Sequence, residues 1–294
     1  MASVECVWPL QADLGEGPFW SAAEKSVWFV DIVERRIHRF EPDTGRHQSW
    51  TAPAKVSFVL PEARGSFLVG LPGAVARFHA GTGAFEILAR VEGDYPQNRL
   101  NDAGIDRRGR LWFGSMDEDS RRKSAAIYRW GAEPAPVLVD AGYCISNGPA
   151  FSPDGRAFYA TDTLDYVLYR FAVGEDGALG HKTPLIRFKP EDGFPDGTTV
   201  DAEGCLWVAF WGGWCVRRFS PDGRQVAEVK LPCAHVTKLA FGGDALRTAY
   251  VTTARHGLGP QDLAGQPLAG GLFAFAVDVP GLPQPMADGV GAEQ

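Results

Sequence analysis

A short hydrophobic segment preceded by a polar turn recurs along the chain. In the first copy, residues 25–30 read KSVWFV, and the later copies repeat the polar start and the run of Trp, Phe, Tyr, Leu or Val. β-Branched and aromatic residues of this kind favour extended strands. The aromatic residues of successive copies lie 39 to 48 positions apart, at Trp28, Phe67, Trp112, Tyr159, Trp207 and Tyr250. The pattern therefore predicts one equivalent strand in each of six repeated units.

A second motif follows each copy of the first and ends on an aromatic residue. It occupies 37–40, 75–78, 127–130, 168–171, 216–219 and 272–275. A repeat of about 40–50 residues with four strands is typical of a β-propeller blade. We therefore predict an all-β, six-bladed β-propeller that forms a single domain over residues 1–294, its ring closed by residues 4–8 pairing into the last blade. A β-sandwich is the alternative, but it does not require the same motif six times.

Composition and charge exclude several classes of protein. The chain has 35 Gly and 21 Pro, which leave little room for helices, and a net charge of −7 without a basic cluster larger than 121–123. We therefore expect no nucleic-acid partner. No apolar run approaches the roughly 18 residues that span a bilayer, and no signal peptide is visible, so we expect no membrane association. The five cysteines, an odd number, favour free thiols in a reducing compartment. These features predict a cytoplasmic protein, a monomer or weak oligomer, that acts on a small molecule.

The repeat register also predicts a site on the propeller axis. The residue that opens the innermost strand of each blade is polar in all six repeats, and these residues should face one another: Glu16, Ser57, Asn101, Asn147, Asp196 and Thr237. Two buried carboxylates repel unless a cation compensates them. Carboxylate and amide oxygens favour Ca²⁺, Mg²⁺ or Mn²⁺. Glu16, Asn147 and Asp196 are thus candidate metal ligands, each followed by a glycine that would let the backbone approach closely; the alternative is that they are ordinary turn residues.

The motifs around these residues resemble the regucalcin (senescence marker protein)/gluconolactonase family over nearly the whole chain. The matching segments are 14–18 (LGEGP), 98–102 (NRLND), 146–148 (SNG), 195–197 (PDG) and 268–271 (LAGG). The sequence is most similar to bacterial sugar-acid lactonases such as xylonolactonases. The resemblance implies that Glu16, Asn147 and Asp196 bind one divalent metal ion, with Ca²⁺, Zn²⁺, Mg²⁺, Mn²⁺ and Fe²⁺ all open. It implies that Arg99 and Asn101 contact the sugar, together with an acidic residue in the loop after Met116. Asp119 is nearest to that place in the sequence, and Glu118 is adjacent to it.

The predicted activity is metal-dependent hydrolysis of a sugar-acid lactone to the aldonic acid. On resemblance, a pentono-1,4-lactone such as xylonolactone or arabinonolactone is the expected substrate. Asp196 would also be the catalytic base that accepts a proton from the attacking water. The alternatives are a metal-dependent phosphotriesterase and a non-enzymatic calcium-binding propeller.

Several neighbouring features are less specific. The loops 115–126 and 252–271 should lie on the face of the site, where either could act as a lid. The segment 211–214 (WGGW) could present an aromatic floor to a sugar or simply pack between blades. We interpret His256 as a surface residue rather than a base, and Cys144 as buried and inert.

Overall fold

The computed structural model describes residues 3–291, whose strands form five antiparallel sheets that together make the six blades of a propeller. Four sheets have four strands, and the fifth has eight because the pairing of Trp211 with His235 joins the last two blades. Blades one to five each contain four consecutive strands, and the sixth contains three strands plus the first strand of the chain. The strands, in chain order, are β1 (Glu5–Trp8), β2 (Gly15–Ser21), β3 (Ser26–Asp31), β4 (Arg36–Glu41), β5 (Arg46–Thr51), β6 (Val59–Pro61), β7 (Phe67–Leu71), β8 (Ala74–His79), β9 (Ala84–Arg90), β10 (Asn98–Ile105), β11 (Leu111–Asp117), β12 (Ala125–Trp130), β13 (Val137–Tyr143), β14 (Ser146–Phe151), β15 (Ala157–Asp162), β16 (Val167–Ala172), β17 (Thr183–Arg187), β18 (Phe194–Val200), β19 (Leu206–Trp211), β20 (Cys215–Phe219), β21 (Gln225–Lys230), β22 (His235–Gly242), β23 (Thr248–Ala254) and β24 (Leu272–Ala276).

The two sequence motifs are the second and third strands of each blade, so the predicted all-β propeller is confirmed. The aromatic residues of the first motif repeat because they fill the spaces between neighbouring blades. Trp28 of the first blade lies 4.3 Å from Phe67 of the second, between ring centroids. Trp112 packs against Phe158 of the next blade at 5.0 Å. Aromatic pairs at such distances add to the free energy gained by burying their area, which accounts for a large aromatic residue at this position in every blade.

The N-terminal strand closes the ring, as the sequence predicts. β1 pairs antiparallel with β24, with Glu5 opposite Ala274 and Cys6 opposite Phe273. The last blade is therefore built from both ends of the described chain. This pairing covers an edge of β24 that would otherwise present unpaired N–H and C=O groups.

The inner strands are irregular where they begin. Register shifts interrupt the pairing of five inner strands with their neighbours, at 16–19, 100–103, 147–150, 195–198 and 236–238. A bulge of this kind breaks the strict alternation of side chains and can turn a residue toward a new direction. The bulges thus lie at the positions where the sequence predicts the site.

The segment after β24 crosses the opposite face of the propeller. The Gly281 N–H donates to Leu246 O at 2.9 Å in the sixth blade, and the Ala287 N–H donates to Pro61 O at 2.8 Å in the second. Residues 282–285 between these anchors line a cavity of about 440 Å³ on the axis. We call residues 280–290 the C-terminal strap.

Helices are few in the described chain. α1 (Pro260–Gly265) lies in the loop between β23 and β24, and short 3₁₀ turns occupy Pro190–Asp192 and Asp244–Leu246. No helix within residues 3–291 is long and apolar enough to cross a membrane. All five cysteines have free thiols, as the odd count suggests.

Candidate functional site

A cavity of about 500 Å³ opens at the end of the axis where the inner strands begin. All six residues that the sequence singles out for metal or substrate line it: Glu16, Arg99, Asn101, Asp119, Asn147 and Asp196. They come from four different blades and from the loop after β11, so the ring brings together side chains that are far apart in sequence. We call this cavity the axial pocket.

Ser57 and Thr237 do not line the axial pocket, and the expectation that all six ring residues face one another is wrong for these two. The Ser57 hydroxyl donates to Leu100 O in the next blade at 2.5 Å. The Thr237 hydroxyl donates to Gly15 O in the first blade at 2.7 Å. These hydroxyls join neighbouring blades, because each short side chain lies within hydrogen-bond reach of a backbone carbonyl in the adjacent blade.

Glu16 and Asp196 are enclosed carboxylates in the axial pocket. Both side chains are buried. Burial, followed by repulsion from Asp102, raises the pKa of Glu16 to about 8. Burial and repulsion from Glu16 also raise the pKa of Asp196 well above its usual range. The cause is that two like charges lie close together in a poorly solvated space, which disfavours the charged form of each carboxyl group.

Few protein groups satisfy these carboxylates. Glu16 accepts a hydrogen bond from the Gly17 N–H at 2.6 Å. Within residues 3–291, no N–H or O–H donates a hydrogen bond to the Asp196 carboxylate. Carboxylate oxygens that face a cavity without donors are available to a cation or to a proton donor such as water.

The side-chain amide of Asn147 is held in one orientation. Its Nδ2 donates to the Thr163 hydroxyl at 2.9 Å, and that hydroxyl donates in turn to Pro195 O at 2.9 Å, beside Asp196. Asn147 Oδ1 accepts from Asn101 Nδ2 at 3.1 Å and keeps a further lone pair. Thr163 therefore fixes which end of the Asn147 amide faces Asn101. Sequence reasoning missed Thr163, because only the folded blades bring it between Asn147 and Pro195.

These donors fit a hard or borderline divalent cation. No group of three or more His, Cys, Asp or Glu side chains suited to a metal ion comes together within residues 3–291. The axial pocket offers instead two carboxylates and one oriented amide oxygen, a set that such cations accept. The buried, mutually repelling charges of Glu16 and Asp196 supply the electrostatic reason for a cation. The donor set does not select one metal.

Arg99 and Asn101 form a rigid pair beside these donors. Arg99 Nη1 donates to Leu100 O at 2.9 Å and to Asn101 Oδ1 at 2.8 Å. Both N–H groups of Asn101 are also used, because Nδ2 donates to Ser146 O at 2.9 Å as well as to Asn147. Burial lowers the pKa of the Arg99 guanidinium. A substrate contact by Asn101 remains a prediction, and in this arrangement Asn101 could make it only through Oδ1.

Two acidic residues line the pocket after β11, and they differ in their surroundings. Asp119 is exposed and lies 3.4 Å from Arg122 Nη2. Glu118 Oε1 lies 2.6 Å from Lys55 Nζ and 3.7 Å from Arg99 Nε. A contact between Asp119 and the sugar remains a prediction, and the acid that forms an ion pair with Arg99 is Glu118.

The structure also shows where the aromatic segment 211–214, His256 and Cys144 lie relative to the axial pocket. Trp211 lines it and stacks on His235 at 3.9 Å, whereas Trp214 is exposed and lies outside the lining. His256 lies at the rim, its Nδ1 2.9 Å from Asp13 Oδ2. Cys144 is buried, and burial raises the pKa of its thiol, which agrees with the interpretation that it is inert. Whether either long loop closes over the pocket remains a prediction.

The three glycines that follow the candidate metal ligands are required for different structural reasons. Gly17 and Gly148 have φ values of +58° and +84°, a left-handed region that other residues rarely adopt. Gly197 is different, because a Cβ there would lie 2.5 Å from both Cβ and Cγ of Lys238. At Gly197 it is a neighbouring side chain, rather than the approach of a ligand, that demands glycine.

Fold and site together define a six-bladed propeller with an acidic, cation-compatible pocket at one end of its axis. The model of the SMP-30/Gluconolactonase/LRE-like family matches residues 14–255. The chain therefore belongs to this family, and the resemblance found in the motifs is confirmed.

Two of the relatives with known names are lactonases. The chain is 35% identical over 288 residues to the 6-deoxy-6-sulfogluconolactonase of Pseudomonas putida, an alignment that covers 98% of this chain and 99% of the relative. It is 34% identical over 281 residues to the pentonolactonase XacC of Haloferax volcanii, covering 94% of each chain. The solved structure of a calcium-binding regucalcin from Agrobacterium tumefaciens has a TM-score of 0.93 at 28% identity and covers 97% of both chains. The prediction of a hydrolase in a lactonase family agrees with these relatives.

Proposed function

We propose that this chain hydrolyses sugar-acid lactones in the axial pocket, with one divalent cation held by Glu16, Asn147 and Asp196. The observation that carries the proposal is the convergence of two buried carboxylates, an oriented amide and Arg99 on one cavity. Membership of a family that contains lactonases supports the same reaction. When bound, a divalent cation would polarise the lactone carbonyl and make a water more acidic.

The side chains of the pocket would divide the remaining work. Asp196 would accept the proton of the attacking water, because its carboxylate faces the cavity without a hydrogen-bond donor. Arg99 has its Nη1 committed to Leu100 and Asn101, so its other N–H groups are the ones open to a lactone oxygen. Asn101 and Thr163 would hold Asn147 in place, which preserves the orientation on which catalysis depends.

The number of carbon atoms in the preferred sugar lactone is a separate question from the reaction. One relative is named for a six-carbon sulfogluconolactone and another for a pentonolactone, at nearly equal identity. One hydroxymethyl group changes binding by only about 1–3 kcal/mol. We propose a pentono-1,4-lactone such as xylonolactone or arabinonolactone as the preferred substrate, with measurable turnover of six-carbon lactones.

The test is proton release during hydrolysis of a panel of aldonolactones, after subtraction of their spontaneous opening. The protein is stripped with a chelator and then supplied with Ca²⁺, Mg²⁺, Mn²⁺, Zn²⁺ or Fe²⁺ in turn. Turnover should vanish on stripping and return with metal, and Asp196→Asn should abolish it. Asp94→Asn is the matched control, because Asp94 is exposed and does not line the axial pocket.

Three results would contradict the proposal in whole or in part. A protein that binds metal tightly and cleaves a phosphotriester but no lactone would be the phosphotriesterase alternative. A protein that binds calcium without turning over either substrate would be the non-enzymatic propeller. An Asp196→Asn variant with full activity in the presence of metal would refute the role of Asp196 as base.

A further inference from the structure

A buried ion pair crosses the axis beneath the axial pocket. Lys238 Nζ lies 2.5 Å from Asp102 Oδ1, and both side chains are less than one-tenth exposed. Asp102 belongs to β10 of the third blade and Lys238 to β22 of the sixth. These blades are opposite each other in a ring of six, so the pair connects the two sides of the channel.

The ion pair lies between the two cavities of the axis. Lys238, with Gly17 and Thr198, lines the cavity under the C-terminal strap. Glu16 and Asp196 line the axial pocket. Glu16 directly precedes Gly17, and Asp196 lies two residues before Thr198, so the same inner strands contribute to both cavities. The crossing side chain of Lys238 therefore forms a floor between them.

The neighbouring strand is shaped to let Lys238 cross. A Cβ at Gly197 would lie 2.5 Å from Cβ and Cγ of Lys238 and 2.8 Å from its Cδ. Only a glycine next to Asp196 leaves room for this stem. The stem passes close to the backbone of a candidate metal ligand, which links the position of Lys238 to that of Asp196.

Charge balance gives the crossing lysine a second effect. Near the axis, the buried carboxylates that act on one another are Glu16, Asp102 and Asp196, and the buried cations beside them are Arg99 and Lys238. Asp102 Oδ2 is buried and has no hydrogen-bond partner within residues 3–291, so Lys238 is the main group that compensates Asp102. Burying one member of such a pair without the other is strongly unfavourable.

We infer that Lys238 is a built-in axial cation which, tethered to Asp102, closes the floor of the axial pocket and limits how strongly its carboxylates attract a divalent ion. Lys238 is a positioning residue in this assignment, since it neither ligates the ion nor touches the substrate. The inference rests on the proposed metal site for its effect on affinity, whereas the pairing itself rests only on the fold.

The experiment measures metal affinity in two single variants with opposite charge changes and in the double variant, which keeps the net charge. Chelator-stripped protein is titrated calorimetrically with Ca²⁺ and with Mn²⁺. Lys238→Met removes a positive charge near the site and should tighten binding about tenfold, whereas Asp102→Asn removes a negative charge and should weaken it about tenfold. The double variant Lys238→Met/Asp102→Asn should bind within about threefold of the wild type. A purely structural role would weaken binding in both single variants.

Thermal unfolding of the metal-free proteins tests the pairing independently of any metal. Each single variant should lower the Tm by about 6–10 °C, because it leaves a buried charge unpaired, and the double variant should recover most of the loss. The matched control is Lys123→Met, which breaks the half-exposed pair with Asp165 and should change neither measurement. A single variant that does not fold while the double variant does would also support the pairing.

Three results would overturn the inference. Metal affinities that fall in both single variants, or do not change, would refute the electrostatic effect. A double variant as unstable as the sum of the single variants would refute the pairing. A wild-type protein that binds no divalent ion would refute the proposed metal site together with the effect on affinity, and the melting temperatures would then decide the pairing alone.

Discussion

Replacing Gly197 by alanine should disturb the axial pocket through packing alone. The new methyl carbon would lie 2.5 Å from Cβ and Cγ of Lys238, about 1 Å inside the usual contact distance of ~3.5–4.0 Å between carbon atoms. The Cβ of Lys238 is fixed by the backbone of β22 and cannot rotate away, so β18 or β22 must move. Overpacking of this kind costs about 1–3 kcal/mol in the free energy of unfolding.

The movement should also reach Asp196, which is bonded to Gly197. A displacement of about 1 Å in a catalytic group can cost about a hundredfold in rate. We therefore expect Gly197→Ala to weaken metal binding measurably and to lower lactone turnover by about tenfold to a hundredfold. Urea unfolding, calorimetric metal titration and proton release measure the three effects on the same preparation.

Gly93→Ala is the matched control, because a Cβ there would meet no atom within 4 Å and Gly93 has no positive φ. It should change stability, affinity and turnover little. If Gly197→Ala behaved like Gly93→Ala in all three assays, the reasoning that Lys238 needs a glycine beside Asp196 would be refuted.

Three further predictions concern Asp162, Gly281 and Trp211. Burial raises the pKa of Asp162 from 3.8 to about 6, so the folded state binds the proton of this carboxyl group more tightly than the unfolded state. Asp162→Asn should therefore raise the free energy of unfolding by up to about 3 kcal/mol at pH 8, and this gain should disappear as the pH falls toward 4. Urea unfolding at both pH values measures the difference. Gly281→Val should displace the C-terminal strap, because the new Cβ would overlap Phe241, and should lower the Tm by a few degrees in calorimetry; an unchanged Tm would show that the strap does not pack as described. Trp211→Ala should raise the KM for a sugar lactone about three- to tenfold, since Trp211 lines the axial pocket, while Trp214→Ala should leave it unchanged; equal effects would contradict an aromatic contact with the sugar.

The repeats could be found in the sequence because each blade must bury the same surfaces. Trp28 and Trp112 recur in equivalent positions since each fills the space against the next blade. A strand missing at one end and a spare strand at the other likewise predicted the pairing of β1 with β24. The register of the motifs located Glu16, Asn147 and Asp196, because equivalent positions in a closed ring converge on its axis.

Other features of the site depend on contacts between blades that leave no local pattern. Ser57 and Thr237 share the register of the pocket residues, yet each donates its hydroxyl to a backbone carbonyl of a neighbouring blade. Thr163 orients Asn147 from a position that no spacing rule selects. Glu118, rather than Asp119, comes within reach of Arg99 because the loop after β11 folds back toward Lys55.

The central axis of the propeller shows most clearly what the sequence determines and what only the folded ring decides. Repetition of strand-forming residues and the polar start of each inner strand are properties of short segments, so the chain written as letters is enough to infer the propeller and the candidate ligands. The ion pair of Lys238 with Asp102 joins residues 136 positions apart on opposite blades. Electrostatic compensation and close packing act through space, and only the closed ring decides which charges meet, which side chain crosses the channel and why Gly197 has to be a glycine.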